Sequence, residues 1–289
     1  MDSEEPSPAG ARTRGARAHG QQGHDRSPPK KKGYSLKGNR KRFTGPPHPD
    51  RDVQFKHIEK QKQSFLDSGE PVISIDTKKK ELIGNFKNAG RLWRTEPEEV
   101  NAHDFPSDAE CRAVPYGVYD LANNRGFMTV GTSADTPEFA VDSLVRWWRK
   151  DGTKRYPQAS RLLILADSGG SNSARSRVFK HRIQEKLADG YGLAVTVCHY
   201  PRGASKWNPV EHRLFSFVSG NWAGHPLRTL KGMLARIRGT VTSTGLKVRA
   251  ALTRKIYQKG VSVPDDEMLA LNLERHEICP DWNYTISSR

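Results

Sequence analysis

Residues 161 to 172, RLLILADSGGSN, run through five aliphatic positions and stop at an aspartate followed by small, turn-forming residues. A short, continuous apolar run bounded by turn signals is a strand buried on both faces, and such a strand demands helices above and below its sheet. The carboxylate at its tip is then either the first residue of a tight turn or a ligand held at the sheet rim.

The surrounding pattern supplies the rest of that sheet. PVISID (71–76) is short and β-branched, and VPYGVYDL (114–121) and GFMTVGTS (126–133) are separated by ANNR, which predicts a hairpin. TPEFAVDSLVRWWRKDG reads as a helix with Thr136 as cap, Pro137 in the first turn, Val141, Leu144, Val145 and Trp148 on one face, and Gly152 as its stop. SRVFKHRIQEKLADG is a second helix, aligning Phe179, Ile183 and Leu187, with Gly190 as its end signal. LAVTVCHY (193–200) is another buried strand, and NPVEHRLFSFVSGNW (208–222) is again helical.

Three strands, a helix, a strand, a helix, a strand and a helix, with hairpins first and strand-helix-strand units after, predict an α/β fold. Its mixed five-stranded sheet is flanked by helices, and this is the element order of the RNase H-like fold. That domain is expected over residues 71–225. Residues 1–50 are rich in Pro, Gly, Ser and cations and poor in large aliphatics, so a disordered basic arm is expected there. A helical linker is expected over 51–70, and a basic helical extension over 226–289, where TLKGMLARIRGT and GLKVRAALTRKIY read as amphipathic helices.

Lys and Arg number 48 against 32 Asp and Glu, a formal charge of +16, which points to a polyanionic partner, DNA before a membrane surface. Cys111, Cys198 and Cys279 are odd in number and scattered, so neither a disulfide framework nor a zinc knuckle is suggested. The spacing of His276 and Cys279 is read as incidental. The acidic start MDSEEPSPAG is not a signal peptide, and no apolar run is long enough to span a bilayer; a cytoplasmic, nucleoid-associated protein is expected.

In the predicted topology the first strand lies mid-sheet and the fourth pairs beside it in parallel after a right-handed crossover. Asp76 and Asp167 then meet at the carboxyl ends of these strands, where open α/β sheets hold ligands. Glu211, near the start of the following helix, can swing to the same edge. Each acid has a structural alternative: Asp76 and Asp167 can open turns, and Asn208-Pro209-Val210-Glu211 reads as a capping box with Glu211 at its third helical position. The joint placement of all three on ends that one topology unites favours a site for two Mg²⁺ or Mn²⁺ ions, since clustered carboxylates repel until a hard cation joins them.

VISIDTKKKELIGNFKNAGRLWR, VPYGVYDLANNRGFMTVG, LLILADSGGSN, SKWNPVEHRLFSF, GLKVRAAL and the closing DWNYTI resemble the DDE transposases of bacterial insertion sequences, in the family called IS Azo thirteen, from about Gly33 to Ile286. The resemblance implies a Mg²⁺-dependent DNA cut-and-join reaction with Asp76, Asp167 and Glu211 as the DDE residues. It implies DNA as partner, at element ends and target, and a homo-oligomer when two ends are synapsed. Two departures stand out: Ser168 replaces the glycine usual after the second aspartate, which would strain a left-handed backbone, and residues 1 to about 30 lack the periodicity of the family's upstream helix-turn-helix region. A catalytically silent DNA-binding remnant and a general metal nuclease remain as alternatives.

Around the acids, Lys78, Lys79, Lys80, Arg202, Lys206 and Arg213 are candidate phosphate contacts. Trp207 either stacks on a base or packs as a hydrophobic staple. His199 is read as an ordinary strand-end residue, and His212 points away from Glu211.

Overall fold

A computed structural model describes residues 48–289; the expected basic arm lies, up to residue 47, outside the described residues. Helix α1 (Arg51–Asp67) leads into β1 (Val72–Thr77), which pairs antiparallel with β3 (Cys111–Asp120) and parallel with β5 (Arg161–Ala166). The short β2 (Glu81–Ile83) flanks the start of β3, and β3 turns back into β4 (Arg125–Gly131) as the predicted hairpin. β6 (Ala194–His199) extends the parallel half beside β5. These pairings put β1 mid-sheet and β5 next to it, as expected.

The sheet is wider than five strands. β7 (Lys247–Thr253) adds parallel to β4, while β9 (Asn283–Ile286) pairs with β6 and carries β8 (Leu273–Arg275) outside it, making nine strands among the described residues. The expected helical extension over 226–289 is therefore corrected. Within it only α7 (Leu230–Arg238) and the short α8 (Asp265–Leu269) are α-helical, and the rest protects both edges of the sheet. The reason lies in β7: Val248 is buried, while Lys247 and Arg249 face solvent, an edge-strand alternation hidden by the neighbouring apolar residues.

Strand alternation divides the core between two faces. Ile73 and Ile75 of β1 and Leu162 and Ile164 of β5 pack with Phe139, Leu144, Trp147, Phe179, Ile183 and Leu187. These come from α2 (Pro137–Trp147), which continues through a π turn into α3 (Thr153–Arg155), and from α4 (Arg177–Ile183), which continues likewise into α5 (Asp189–Tyr191). Thr136 and Ser176 cap the two runs by accepting hydrogen bonds from Phe139 N and Phe179 N. The second run stops at Gly192, whose φ of 66° ends the helix, two residues beyond the expected Gly190.

On the opposite face Val72, Leu163 and Leu165 meet Ile58 and Phe65 of α1. Gln54 of α1 donates to His199 O at 2.8 Å and exchanges hydrogen bonds with Asn283, so the segment expected as a linker is part of the core. Beside it lie a π turn (Glu211–Phe215), α6 (Ser216–Trp222) and α7, which bury Leu214, Phe215, Val218, Trp222, Met233 and Ile237 against Tyr119, Met128 and Val248. The described residues belong to one compact unit, and none of their helices is long and apolar enough to cross a membrane.

Candidate active site

Ile75 of β1 is level with Ala166 of β5, so Asp76 and Asp167, one step further, stand side by side at the sheet rim. Asp76 shares the strand parity of Val72 and Ser74 and faces the side covered by α1 and the Glu211 turn. Asn208 joins that turn to β1. Its side-chain amide donates to Ile75 O at 3.1 Å and its carbonyl accepts from Ser74 Oγ at 2.5 Å, while Val210 N donates to the same hydroxyl at 2.8 Å. Asn208 and Ser74 are fully buried.

The backbone N–H of Asn208 is already bonded to Ser205 O, so the capping box, which needs that N–H for the Glu211 side chain, does not form. Gly117, the cross-strand partner of Asp76, lets the turn approach: a Cβ there would lie 2.3 Å from the Phe215 ring. Glu211 is thereby brought to Asp76.

The electrostatics record this convergence. Burial raises the Asp76 carboxyl, the charge of Asp167 and then that of Glu211 push it further, and the result is about 8 despite a 2.7 Å hydrogen bond from Thr77 N. Asp167 is also raised, by burial first and then by Glu211 and Asp135, with Gly169 N and the Asn172 amide opposing. Among the described residues no three His, Cys, Asp or Glu side chains are arranged closely enough to hold a metal ion together. The donor set nevertheless fits a hard divalent cation, for these are carboxylate oxygens whose mutual repulsion only a proton on Asp76 relieves, and a cation can take that proton's place.

Further groups hold Asp167 in place. Tyr116 OH donates to Asn172 Oδ1 at 2.6 Å, which turns the Asn172 amide toward Asp167. His199 is fully buried and its pKa falls to about 4, so the ring is neutral; Nδ1–H donates to Asp167 O at 2.9 Å and Nε2 lies 3.2 Å from Tyr284 OH. His199 is thus a support for the second aspartate. Ser168 donates to Tyr200 O and is not left-handed; the positive φ of the motif, 58°, falls on Gly170, so the strain expected at the serine does not arise.

Asp76 and Asp167, without Glu211, open into a cleft of about 440 Å³ that also meets Thr77, Asp135 and Ser171, with Lys78, Lys79, Lys80 and Arg112 along its wall. Thr77 Oγ1 donates to Asp135 at 3.2 Å. Sequence reasoning missed Asp135, Asn172, Tyr116, Ser74 and Arg112; the asparagines of SGGSN and KWNPVE were the available signals, read as turn and cap.

The cations divide. Lys79 and Lys80 are exposed beside the acids, but Lys78 is buried, donates to Glu81 at 2.7 Å and lies over the Trp222 ring at 4.5 Å; its reading as a phosphate contact is corrected. Arg202 is exposed and shares a smaller cleft with Asp167. Lys206 lies over the ring of Trp207, which is half exposed and meets Phe55 of α1 edge-on at 5.9 Å. Arg213 is exposed and sits beside the Tyr119 hydroxyl. His212 bonds to Lys206 O, away from the acids, and His276 pairs with His57 at 3.2 Å.

None of the curated proteins is detectably similar in sequence. Among solved structures, the Mos1 transposase paired-end complex with left transposon end superposes with a TM-score of 0.45 and 10% identity, covering 70% of this chain and 57% of that one. The Mos1 mariner paired end complex with Mn gives 0.43 and 12%, and the Mos1 strand transfer complex 0.43 and 13%, each over 70% of this chain and 57% of the other. The chain spans little more than half the length of those proteins. The profile of the Rhodopirellula transposase DDE domain matches residues 25–288, nearly the whole sequence, and the chain belongs to that family.

Proposed function

We propose that this chain is a DDE transposase that cuts DNA at the ends of an insertion element and joins those ends to a target, with an RNase H-like catalytic core. The observation that carries the reading is the meeting of Asp76, Asp167 and Glu211 from three separate elements, with Asp76 raised to about 8 by burial and by the other two. Asp76 and Asp167 also accept turn hydrogen bonds, from Thr77 N at 2.7 Å and Gly169 N at 3.3 Å, yet both carboxyls stay raised, so these turn contacts do not offset burial and the neighbouring charges.

The three carboxylates would hold Mg²⁺ or Mn²⁺, two ions in the full site, and the bound metal supplies activation of water or a sugar 3′-hydroxyl and stabilisation of the leaving oxygen. The protein's own work is positioning. Asn208 and Ser74 hold Glu211 against β1, Tyr116 and Asn172 aim Asp167, and His199 fixes the Asp167 peptide. Lys79, Lys80 and Arg112 on one wall, with Arg202, Lys206 and Arg213 beyond, would grip phosphates of element end and target, and Trp207 offers an exposed ring for a base. Two ends handled together call for at least two copies of the chain.

The test is a strand-transfer assay with a labelled, pre-cut element end, plasmid target and Mg²⁺ or Mn²⁺, run beside Asp167→Asn and Glu211→Gln. Joined product that disappears in both variants is the expected result. Nicking of unrelated DNA without joining would indicate a general nuclease, and DNA binding without any product would indicate a silent remnant.

A further inference from the structure

A second concavity, of about 1060 Å³, begins at Ser168, the residue after Asp167, and runs between the start of α4, α8 and the β8–β9 hairpin. Arg175, Arg177, Lys180, Arg202 and Arg275 line it, facing Asp50 and Asp281. Arg177 and Arg275 are bridged to the exposed carboxylates Asp265 and Asp281, pairs weak enough to be exchanged for phosphate. Arg175, Lys180 and Arg202 make no ion pair among the described residues.

Lys180 is the informative one. It is 7% exposed, donates to the neutral Ala174 O at 2.7 Å and lies over the Tyr284 ring at 5.0 Å. No carboxylate bonds this ammonium and the charge of Asp281 reaches it only from a distance, so burial is costly and an anion in the groove would supply charge at closer range. The floor is only partly apolar: Met268, Leu271, Leu273 and Trp282 line it, the Trp282 ring meets His48 at 4.8 Å, and Leu269 stands 86% exposed at the rim. A duplex presents phosphates and keeps its bases stacked inside, so it has no use for such a floor; a single strand offers both phosphates and free base faces.

Resting on the transposase reading, we propose that this groove binds single-stranded DNA, the unpaired nucleotides next to the phosphate being cut. Its cations take the backbone, and Leu269, Met268 and Trp282 take the bases.

The experiment measures fluorescence anisotropy of a labelled oligo-dT of about 12 nucleotides, within the usual span of single-strand sites, against a labelled duplex of equal length over a salt series. The full-length protein is compared with Arg175→Ala/Arg275→Ala and with Lys180→Met. The double variant is expected to bind oligo-dT roughly tenfold more weakly, with a salt slope smaller by about 1.4, at about 0.7 per lost phosphate contact, while duplex binding changes less than twofold. Lys180→Met should also weaken oligo-dT binding, without lowering the melting temperature. Unchanged oligo-dT affinity in the double variant overturns the proposal, as does an equal loss for duplex. Oligo-dT binding is measured in EDTA and needs no catalysis, so a failure of strand transfer in the wild-type protein is read separately from a failure of this groove.

Discussion

Asp76→Asn is expected to stabilise the metal-free protein at alkaline pH while abolishing catalysis. The carboxyl moves from 3.8 to about 8 on folding, and four pKa units correspond to roughly 6 kcal/mol at about 1.4 kcal/mol per unit. Because the shift belongs jointly to Asp76, Asp167 and Glu211 and the cleft is open to water, about half of that, ~3 kcal/mol, is assigned to Asp76. The sign follows from proton counting. Between about pH 4 and 8 the folded protein keeps a proton that the unfolded chain has lost, so stability falls as pH rises through that window and levels off above it. Asparagine has no proton to lose. Calorimetry in EDTA at pH 5 and pH 8 should therefore show similar melting temperatures for the two proteins at pH 5. At pH 8 the variant should melt higher by about 6–12 °C, at roughly 2–4 °C per kcal/mol for a domain of this size. Saturating Mg²⁺ at pH 8 should raise the wild type and not the variant. A variant that melts lower than wild type at pH 8, or one that keeps the full pH slope, would refute the claim that Asp76 bears uncompensated repulsion.

Gly117→Ala places a methyl group 2.3 Å from the Phe215 ring; thermal melting should show a loss of roughly 1–3 kcal/mol, strand transfer should fall further as Glu211 is pushed from Asp76, and Phe215→Leu should restore part of both. Asn208→Ala removes the bonds to Ser74 and Ile75 O inside the core, and urea denaturation should report about 3 kcal/mol, the cost of orphaned buried groups. Lys78→Met strands Glu81 and should lower stability while leaving the salt dependence of duplex binding unchanged. Lys79→Ala/Lys80→Ala should do the reverse, reducing the salt slope by about 1.8, at about 0.9 per phosphate.

The placement of Asp76 and Asp167 at neighbouring strand ends was legible in the sequence because their signal is local: an apolar run stops, a carboxylate follows, and strand order decides which ends meet. What holds them was not. Asn208 reaches Ser74 across 134 positions and Tyr116 reaches Asn172 across 56, and a side chain that bonds so far along the chain looks, in its own neighbourhood, like the turn or cap residue it also resembles. The outer strands escaped for a different reason. β8 and β9 are three and four residues long and β7 lies on an edge, too short or too one-sided for periodicity to separate strand from helix. Lys78 was misjudged where strand parity could have decided. It lies two residues beyond Asp76 on the same face, and that face is covered by α6, where Trp222 receives the ammonium. The same parity explains the arrangement: the alternation that buries Val72 and Ser74 delivers Asp76 to the rim, where the charges of Asp167 and Glu211 act on it. The fold tolerates that repulsion because the hydrogen bonds of Asn208, Asn172 and His199 hold the surrounding backbone whether or not the charges are neutralised. Rigid support beneath a mutually repelling set of oxygens is the condition for binding a divalent cation without reorganisation.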